Sequence, residues 1–199
     1  MSVSDLTGCC YGVAYRSFGC NGGQLGTAWK WFMNTGVVSG GFYGEEQYCY
    51  SYTMPKCSHH DELSPLRSCD EVASLQPTCQ SYCPDNTSID YKTDKHKGKS
   101  HYKLEGVYAI KSDIYKYGSV SAGFTVYEDF LNYKDGVYSH VTGEALGGHG
   151  IHVFAWGVEN GEEYWLCKNS WGDDWGLGGF FKIKIGDSGI NDSIYAGLV

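Results

Sequence analysis

The amino-acid sequence predicts an α+β fold, with a helical, loop-rich first half and a second half made mostly of β-strands. In the first half, apolar side chains recur at the spacing of one helix face: Leu25, Ala28, Trp29, Phe32 and Met33. In the second half, apolar residues alternate from Val120 to Val126, and the Asn160-Gly161 pair is a strong hairpin signal. We therefore expect separate helical and β regions.

Local signals place the helices and a long loop in chain order. The first predicted helix begins after Gly22-Gly23 and ends near Gly36. From about Tyr43 to His96, periodicity is absent while Cys, Pro and Ser accumulate, so we expect a loop region that disulfides keep ordered. Apolar spacing between Val107 and Tyr117 predicts a second helix that ends at Gly118.

The strands of the second half are bounded by turn residues. We predict strands at Val120–Val126, Ile151–Val158, Glu163–Asn169 and Phe180–Ile185. The turn at Asn160-Gly161 joins the second and third of these strands in an antiparallel hairpin.

The composition excludes several classes of protein. The chain is 42% hydrophobic, 16% aromatic and only 19% charged, which excludes an extended disordered protein. Its net charge of -8 argues against a nucleic-acid partner, which would favour a basic patch. No apolar run approaches the roughly 20 residues of a membrane span. We therefore expect a globular protein with neither a nucleic-acid nor a membrane partner.

Nine cysteines are the strongest compositional signal. Their clustering between Cys49 and Cys83 is typical of a disulfide framework in a secreted protein. Zinc binding is the alternative, but the Cys79 and Cys83 pair has no second pair at a matching spacing. The N-glycosylation acceptor triplets Asn86-Thr87-Ser88 and Asn191-Asp192-Ser193 also fit a secretory route. Because the count is odd, at least one thiol stays unpaired.

The densest chemistry lies around the predicted hairpin, where His149 follows two glycines and Asn169 is followed by Ser170-Trp171. An Asn amide can orient a histidine that acts as general base, and a neighbouring Trp can shield the pair from water. The alternative is a core histidine beside an ordinary hairpin. The expected strand pairing also leaves open whether His149 or His152 is the partner of Asn169. A two-residue turn places His152 opposite Asn169, and only a bulge or a longer loop would favour His149.

Several short motifs resemble the papain-type family of cysteine peptidases: Gly147–Ile151, Trp156-Gly157, Tyr164-Trp165-Leu166, Asn169-Ser170-Trp171 and Trp175-Gly176. Cys20-Asn21-Gly22-Gly23 resembles the Gly-rich wall of that family's substrate cleft, and the Cys57–Cys69 segment resembles the occluding loop of its cathepsin B branch. The resemblance covers essentially the whole chain. It implies a two-lobed α+β fold, with residues 1–97 in a helical left lobe and 98–199 in a β-barrel-like right lobe.

The resemblance also implies roles for individual residues. His149 would be the catalytic base, Asn169 would orient it, and Trp171 would cover the pair. His59 and His60 would bind the C-terminal carboxylate of a substrate. The residues implied to bind the substrate backbone and to line the second subsite are Gly22, Gly23, Gln24, Leu25, Gly123, Gly150 and Ser193.

At the position of Ser193, the cathepsin B branch has a Glu that accepts arginine. Because Ser193 is uncharged, we expect Phe or Leu rather than Arg at the second residue before the cut. Asp192, one residue away, remains an alternative source of the acid.

The resemblance further implies a pairing of the cysteines. The bridges would be Cys9–Cys79, Cys49–Cys83 and Cys57–Cys69, which leaves Cys10, Cys20 and Cys167 unpaired.

Two features of the family are missing. Its nucleophile lies in a C-G-[SA]-C-[WY] segment that follows an oxyanion-hole Gln, and this sequence contains neither. Cys167 is a poor substitute, because it lies in the hairpin rather than at a helix N-terminus. We therefore expect a fold incomplete at its N-terminus, and a fragment of a cathepsin B-like endopeptidase and carboxydipeptidase that is inactive alone.

Two alternatives remain open. The first is a non-catalytic homologue that binds peptides or inhibitors. The second is a disulfide-rich structural protein, or a metal-binding one that uses His59 and His60. For the favoured reading we expect peptide or protein substrates, cystatin-like inhibitors, a monomer, and a lysosomal or extracellular location. We expect no cofactor and no metal.

Overall fold

The computed structural model describes residues 1–58, 65–72 and 75–199. Contacts divide the chain into two compact units. Unit 1 consists of Met1–Cys57, the described part of Ser64–His101, and Gly197–Val199. Unit 2 consists of the described part of Ser58–Leu63, and Tyr102–Ala196. None of the described helices has both the length and the apolar character that crossing a bilayer requires.

Unit 1 contains two α-helices, α1 (Val3–Cys9) and α2 (Leu25–Asn34). The predicted helix after Gly22-Gly23 is therefore confirmed, and Gly36 just beyond it has a φ of +84°, which favours glycine. Helix α1 was not predicted. Its start is capped by the Ser2 hydroxyl, which accepts a hydrogen bond of 2.9 Å from the Asp5 backbone N–H.

The described residues between Tyr43 and His96 contain little regular secondary structure. Among them, the 3-10 turn Cys69–Glu71 is the longest helical element, and there is no strand of two or more residues. The three disulfides implied by the resemblance are present: Cys9–Cys79, Cys49–Cys83 and Cys57–Cys69. The predicted disulfides of this loop region are confirmed.

A buried carboxylate adds to these cross-links. Asp5 is 0% exposed and accepts hydrogen bonds from the Val38 backbone N–H, the Tyr91 hydroxyl and the Lys95 ammonium at 3.1, 2.6 and 2.7 Å. The paired cation and two further donors compensate the cost of burying its charge. Asp5 therefore connects α1 to Val38, which precedes the loop region, and to Tyr91 and Lys95 at the end of that region.

A seven-stranded mixed sheet dominates the second half, with strand order β1-β7-β2-β4-β5-β6-β3. Its strands are β1 (Ser100–Leu104), β2 (Val120–Tyr127), β3 (Val137–Tyr138), β4 (Ala145–Glu159), β5 (Glu162–Lys168), β6 (Phe180–Lys184) and β7 (Ser193–Leu198). Helix α3 (Val107–Tyr117) ends at Gly118 as predicted. The four predicted strands are present, while β1, β3 and β7 were not predicted. The fold is α+β.

The core of unit 2 is built from alternate residues of β2 and from an aromatic cluster. Val120, Ala122, Phe124 and Val126 are buried, which confirms the predicted alternation. Phe130 is 0% exposed. Its ring packs against those of Phe124, Tyr133, Tyr138, Trp171, Trp175 and Phe181.

The β4–β5 hairpin contains both the predicted turn and a bulge. Asn160 and Gly161 have φ values of +51° and +86°, and Glu159 pairs with Glu162, so the turn has two residues. Farther along, the register shifts by one between Val153 and Ala155. His152 consequently pairs with Lys168 and not with Asn169. The pairing expected for an uninterrupted ladder is wrong, because the extra residue Phe154 turns the following side chains to the opposite face.

Candidate active site

His149 and Asn169 are hydrogen-bonded in unit 2. His149 lies on β4, where it pairs with Phe124 of β2, and Asn169 directly follows β5. The distance between His149 Nε2 and Asn169 Oδ1 is 2.8 Å. Continuing the shifted register by one residue puts Asn169 opposite Ile151, so Asn169 is the diagonal neighbour of His149 on one face of the sheet.

A hydrogen bond from the neighbouring backbone identifies the Asn169 atom that faces His149, and with it the position of the imidazole proton. Oδ1 of Asn169 also accepts a hydrogen bond of 2.8 Å from the Ser170 backbone N–H. This atom is therefore the amide oxygen, which can only accept, and Nε2 of His149 must donate. The other ring nitrogen, Nδ1, is left to exchange protons.

Aromatic rings surround the pair. The Trp171 ring lies 5.1 Å from the His149 imidazole, and the Phe124 ring contacts it edge-on at 6.0 Å. Asn169 is only 7% exposed. Because this apolar shell keeps water from the hydrogen bond, the bond holds the orientation of the imidazole better than it would in solvent. The contribution of Phe124 was missed in the sequence, although its place in the alternating β2 pattern was a usable signal.

His152 lies in a different environment. It is exposed and faces Lys168 across the β4–β5 pair. Partial desolvation and the Lys168 charge lower the pKa of His152. A histidine beside an ammonium group and away from Asn169 lacks the partner that a general base needs, so the geometry favours His149 for that role.

Three residues implied for the second subsite form a row across the sheet of unit 2. Gly123 of β2 pairs with Gly150 of β4 on one side and with Ser193 of β7 on the other. Two of the three have no side chain, so the row presents little side-chain bulk on its face of the sheet. Asp192 instead lines a separate surface depression that includes Lys103, Glu105, Gly106 and Asn191.

The other residues implied to bind substrate belong to unit 1. Gly22 and Gly23 precede α2, whose N-terminal residues are Gln24 at the cap and Leu25. Gly22 is exposed and has a φ of +96°, and nothing lies within 4 Å of where its Cβ would be. Its backbone is therefore accessible to a ligand on unit 1.

Two of the three free thiols are unsuited to act as the nucleophile. Cys167 is 0% exposed, and burial raises the pKa of its thiol well above the usual value. It pairs with Val153, four residues from His149, which at about 3.3 Å per residue is roughly 13 Å along β4. Cys10 is buried, and burial raises the pKa of its thiol too. Cys20 is exposed in unit 1.

His59 and His60 lie outside the described residues. The structure does describe the loop's closing disulfide, Cys57–Cys69, and its next residue, Ser58. The Ser58 hydroxyl donates a hydrogen bond to the carboxylate of Asp174, in the segment that follows Trp171. This contact in unit 2 was not predicted.

Comparison with known proteins gives a consistent result. A sequence model of the papain family of cysteine proteases matches residues 1–198. A cathepsin B-like cysteine proteinase of Schistosoma japonicum is 40% identical over 202 residues, which cover 100% of this chain and 58% of the relative. Cathepsin B-like cysteine proteinase 3 of Ostertagia ostertagi is 43% identical over 175 residues, covering 86% of this chain and 100% of that protein.

Two solved structures resemble this chain along its whole length. Procathepsin B S9 of Trypanosoma congolense has a TM-score of 0.78 at 31% identity and is covered to 60% of its length. Digestive procathepsin L 3 of Tenebrio molitor has a TM-score of 0.67 at 20% identity and 55% coverage, a likeness of fold alone. The fold is papain-like, and the chain spans about three fifths of these solved structures and of the Schistosoma relative.

Proposed function

The chain belongs to the papain family of cysteine proteases, and from this membership we propose that it is the base-bearing part of a cathepsin B-like peptidase. The observation that supports this proposal most directly is the hydrogen bond of 2.8 Å between His149 Nε2 and Asn169 Oδ1. It holds the imidazole with Nδ1 free for proton transfer. The substrates are peptides or proteins, and the reaction is hydrolysis of a peptide bond.

The proposed mechanism uses Nδ1 of His149 twice. A cysteine thiol transfers its proton to Nδ1, and the thiolate sulfur bonds to the substrate carbonyl carbon. The C–N bond then breaks as Nδ1–H protonates the leaving amine, which leaves a thioester. Water then gives a proton to Nδ1 as its oxygen bonds to the thioester carbon. The C–S bond breaks, and the sulfur takes the proton back from Nδ1, which restores the thiol. Throughout, Asn169 Oδ1 accepts from Nε2–H, so only Nδ1 changes its protonation.

We propose that the nucleophilic thiol and the oxyanion-hole Gln come from chain outside these 199 residues. Cys10 and Cys167 are buried and therefore unsuited to the role, and the chain covers 58% of the Schistosoma relative. Unit 1 also has uncovered apolar surface that additional chain would bury. No residue of α2 is buried, and Tyr11, Val13, Tyr15 and Phe18 are between 41% and 83% exposed.

Labelling with an epoxysuccinyl peptide, which alkylates active-site thiolates, tests this proposal. We expect no adduct on the 199-residue chain, and one adduct on an added cysteine in the full-length protein. His149→Ala is expected to abolish that adduct. The peptide mass identifies the labelled cysteine. An adduct on Cys10, Cys20 or Cys167 that requires His149 would contradict an external nucleophile, and an unlabelled full-length protein would favour a non-catalytic binding module.

We further propose carboxydipeptidase activity beside endopeptidase activity, with His59 and His60 binding the substrate's C-terminal carboxylate. The hydrogen bond from Ser58 to Asp174 supports it, because the residue before these histidines is attached to the segment that follows Trp171. His60→Ala is expected to slow release of C-terminal dipeptides by about tenfold, since a charge-assisted hydrogen bond contributes about 1.5–3 kcal/mol. Cleavage of the same peptide with an amidated C-terminus is the control. Equal losses on both substrates would refute the carboxylate role.

The row of Gly123, Gly150 and Ser193 supports a preference for Phe or Leu over Arg at the second residue before the cut. A guanidinium buried there would find no carboxylate on these residues. Ser193→Glu is expected to raise kcat/KM for an Arg-containing fluorogenic dipeptide relative to its Phe counterpart by about tenfold or more. Asp192→Asn is the matched control and is expected to leave this ratio unchanged. Loss of Arg cleavage in Asp192→Asn would assign the pocket to Asp192 instead.

We also propose a route through the secretory pathway, to lysosomes or the extracellular space. Three disulfides support it, because such bonds persist in oxidising compartments. Cystatin-like proteins are the inhibitor class we propose, acting on a monomer.

A further inference from the structure

The protein contains two acceptor triplets for N-linked glycans, and the two differ in their hydrogen bonds and surroundings. We propose that Asn86 carries an N-linked oligosaccharide and that Asn191 does not. The proposal rests on the secretory route of the proposed function, because the donor sugar is available only there. The surface around Asn86 has no role in the proposed peptidase mechanism.

The Asn86 triplet forms a local turn of its own. Asn86 Oδ1 accepts hydrogen bonds from the Ser88 backbone N–H, at 3.2 Å, and from the Ser88 hydroxyl. The Ile89 backbone N–H donates to the Asn86 carbonyl at 3.1 Å. The hydroxyl required at the third position thus already contacts the side chain to be modified. Both contacts go to Oδ1, so they leave Nδ2, the atom that would bear the sugar, unused.

The surroundings of this turn are open. Asn86 is half-buried, but Thr87 and Ser88 are exposed and, with Tyr82 and Tyr91, line a surface cavity of about 350 Å³. The turn follows Cys83, whose disulfide to Cys49 lies in the small core of unit 1. A glycan at Asn86 would therefore extend into free space from an anchored turn and displace no core residue.

The Asn191 triplet is instead built into unit 2. Asn191 Oδ1 accepts a hydrogen bond of 2.9 Å from the indole N–H of Trp165, a residue that is 0% exposed. Ser193, the third residue of the triplet, pairs with Gly123 in the sheet. For a transferase to bind this triplet, Ser193 would have to leave the sheet and Asn191 would have to move away from Trp165. The buried indole N–H of Trp165 would then lack its acceptor. The two triplets match equally well in sequence and differ in structure.

The modification is a group transfer. The donor is an oligosaccharide linked through its first N-acetylglucosamine to a lipid diphosphate. A bond forms between C1 of that sugar and Nδ2 of Asn86, while the bond between C1 and the diphosphate oxygen breaks. The lipid diphosphate leaves, and Nδ2 loses one proton to a base of the transferase.

Mass spectrometry of the full-length protein secreted from a eukaryotic host tests both halves of the proposal. Trypsin cleavage after Arg67, Lys92 and Lys184 places Asn86 in peptide 68–92 and Asn191 in the peptide that begins at residue 185 and includes residues 185–199. Peptide N-glycosidase in heavy-oxygen water converts a glycosylated Asn into a labelled Asp. We expect the label on peptide 68–92 and none on 185–199. Ser88→Ala should abolish the label, while its matched control Thr87→Ala, at the unrestricted middle position, should keep it.

Whether the cysteines of the same samples are oxidised or reduced distinguishes the two possible causes of a missing label on Asn86. An unlabelled peptide 68–92 in protein whose three disulfides have formed would overturn the Asn86 site and leave the secretory route standing. The same result with reduced cysteines would overturn the route and the glycan together. A label within residues 185–199 would overturn the exclusion of Asn191.

Discussion

His149→Ala is expected to lower kcat/KM of the full-length peptidase by about 10³-fold or more, while His152→Ala stays within about twofold of the parent. Both histidines lie on β4, three residues apart, so each substitution removes an imidazole from the same strand. Only His149 is bonded to Asn169, and only its Nδ1 can take the thiol proton in the proposed mechanism. A thiol without its base is mostly protonated at neutral pH and attacks slowly.

Steady-state cleavage of a fluorogenic dipeptide measures this difference. Circular dichroism of both variants establishes that they fold alike. A large loss in His152→Ala with little loss in His149→Ala would reverse the assignment and would mean that the catalytic pair is not the one described. Equal large losses in both would indicate damage to the strand rather than removal of a base.

Phe130→Ala is expected to destabilise the protein by about 3–5 kcal/mol, the largest stability effect that we foresee. Phe130 is 0% exposed, and its ring lies about 5 Å from the rings of Phe124, Trp175 and Phe181. Truncation leaves a cavity that these rigid rings cannot fill. Leu131, the next residue, is 39% exposed and is the matched control, since Leu131→Ala removes less buried surface and keeps the carbonyl that Trp175 uses.

Thermal unfolding of the full-length protein measures this effect. We expect Tm to fall on the order of 10 °C for Phe130→Ala and by a few degrees at most for Leu131→Ala. Because Phe130 also packs against Trp171, which lies over His149, kcat is expected to fall in Phe130→Ala even well below its Tm. Equal shifts in Tm for the two variants would show that the cluster does not hold the core together.

Elements with strong local signals could be predicted from the sequence. Helix α3 ends where Gly118 adopts a φ of +100°, and the hairpin turns at Asn160-Gly161, because these backbones require positive φ. Helix α1 was predictable too, since Ser2 and Asp5 have the spacing of a capping motif. Strand β4 extends well before the predicted start at Ile151, since Gly147, Gly148 and Gly150 conceal the strand pattern.

The pairing of His149 with Asn169 could not be derived from local residues. It depends on the bulge at Phe154, where no Gly or other turn residue marks an interruption. The Phe154 ring lies 5.6 Å from that of Phe180, a contact between residues far apart in the chain. The family resemblance implied His149, the histidine that is hydrogen-bonded to Asn169, whereas the ladder reasoning favoured His152. Residues 59 and 60 lie outside the described residues, so their part in the site stays a prediction.

The bulge at Phe154 also shows that the effect of an insertion or deletion in this hairpin depends on whether the number of residues is odd or even. A strand has only two faces, so adding or removing one residue between Ile151 and Asn169 exchanges the faces of all side chains beyond the change. A single insertion or deletion within one strand would turn Asn169 to the face opposite His149, whereas a change of two residues keeps both side chains on one face. We therefore expect this segment to tolerate changes of an even number of residues better than changes of an odd number. Residues added at the Asn160-Gly161 turn can extend the strand pairing only if their number is even.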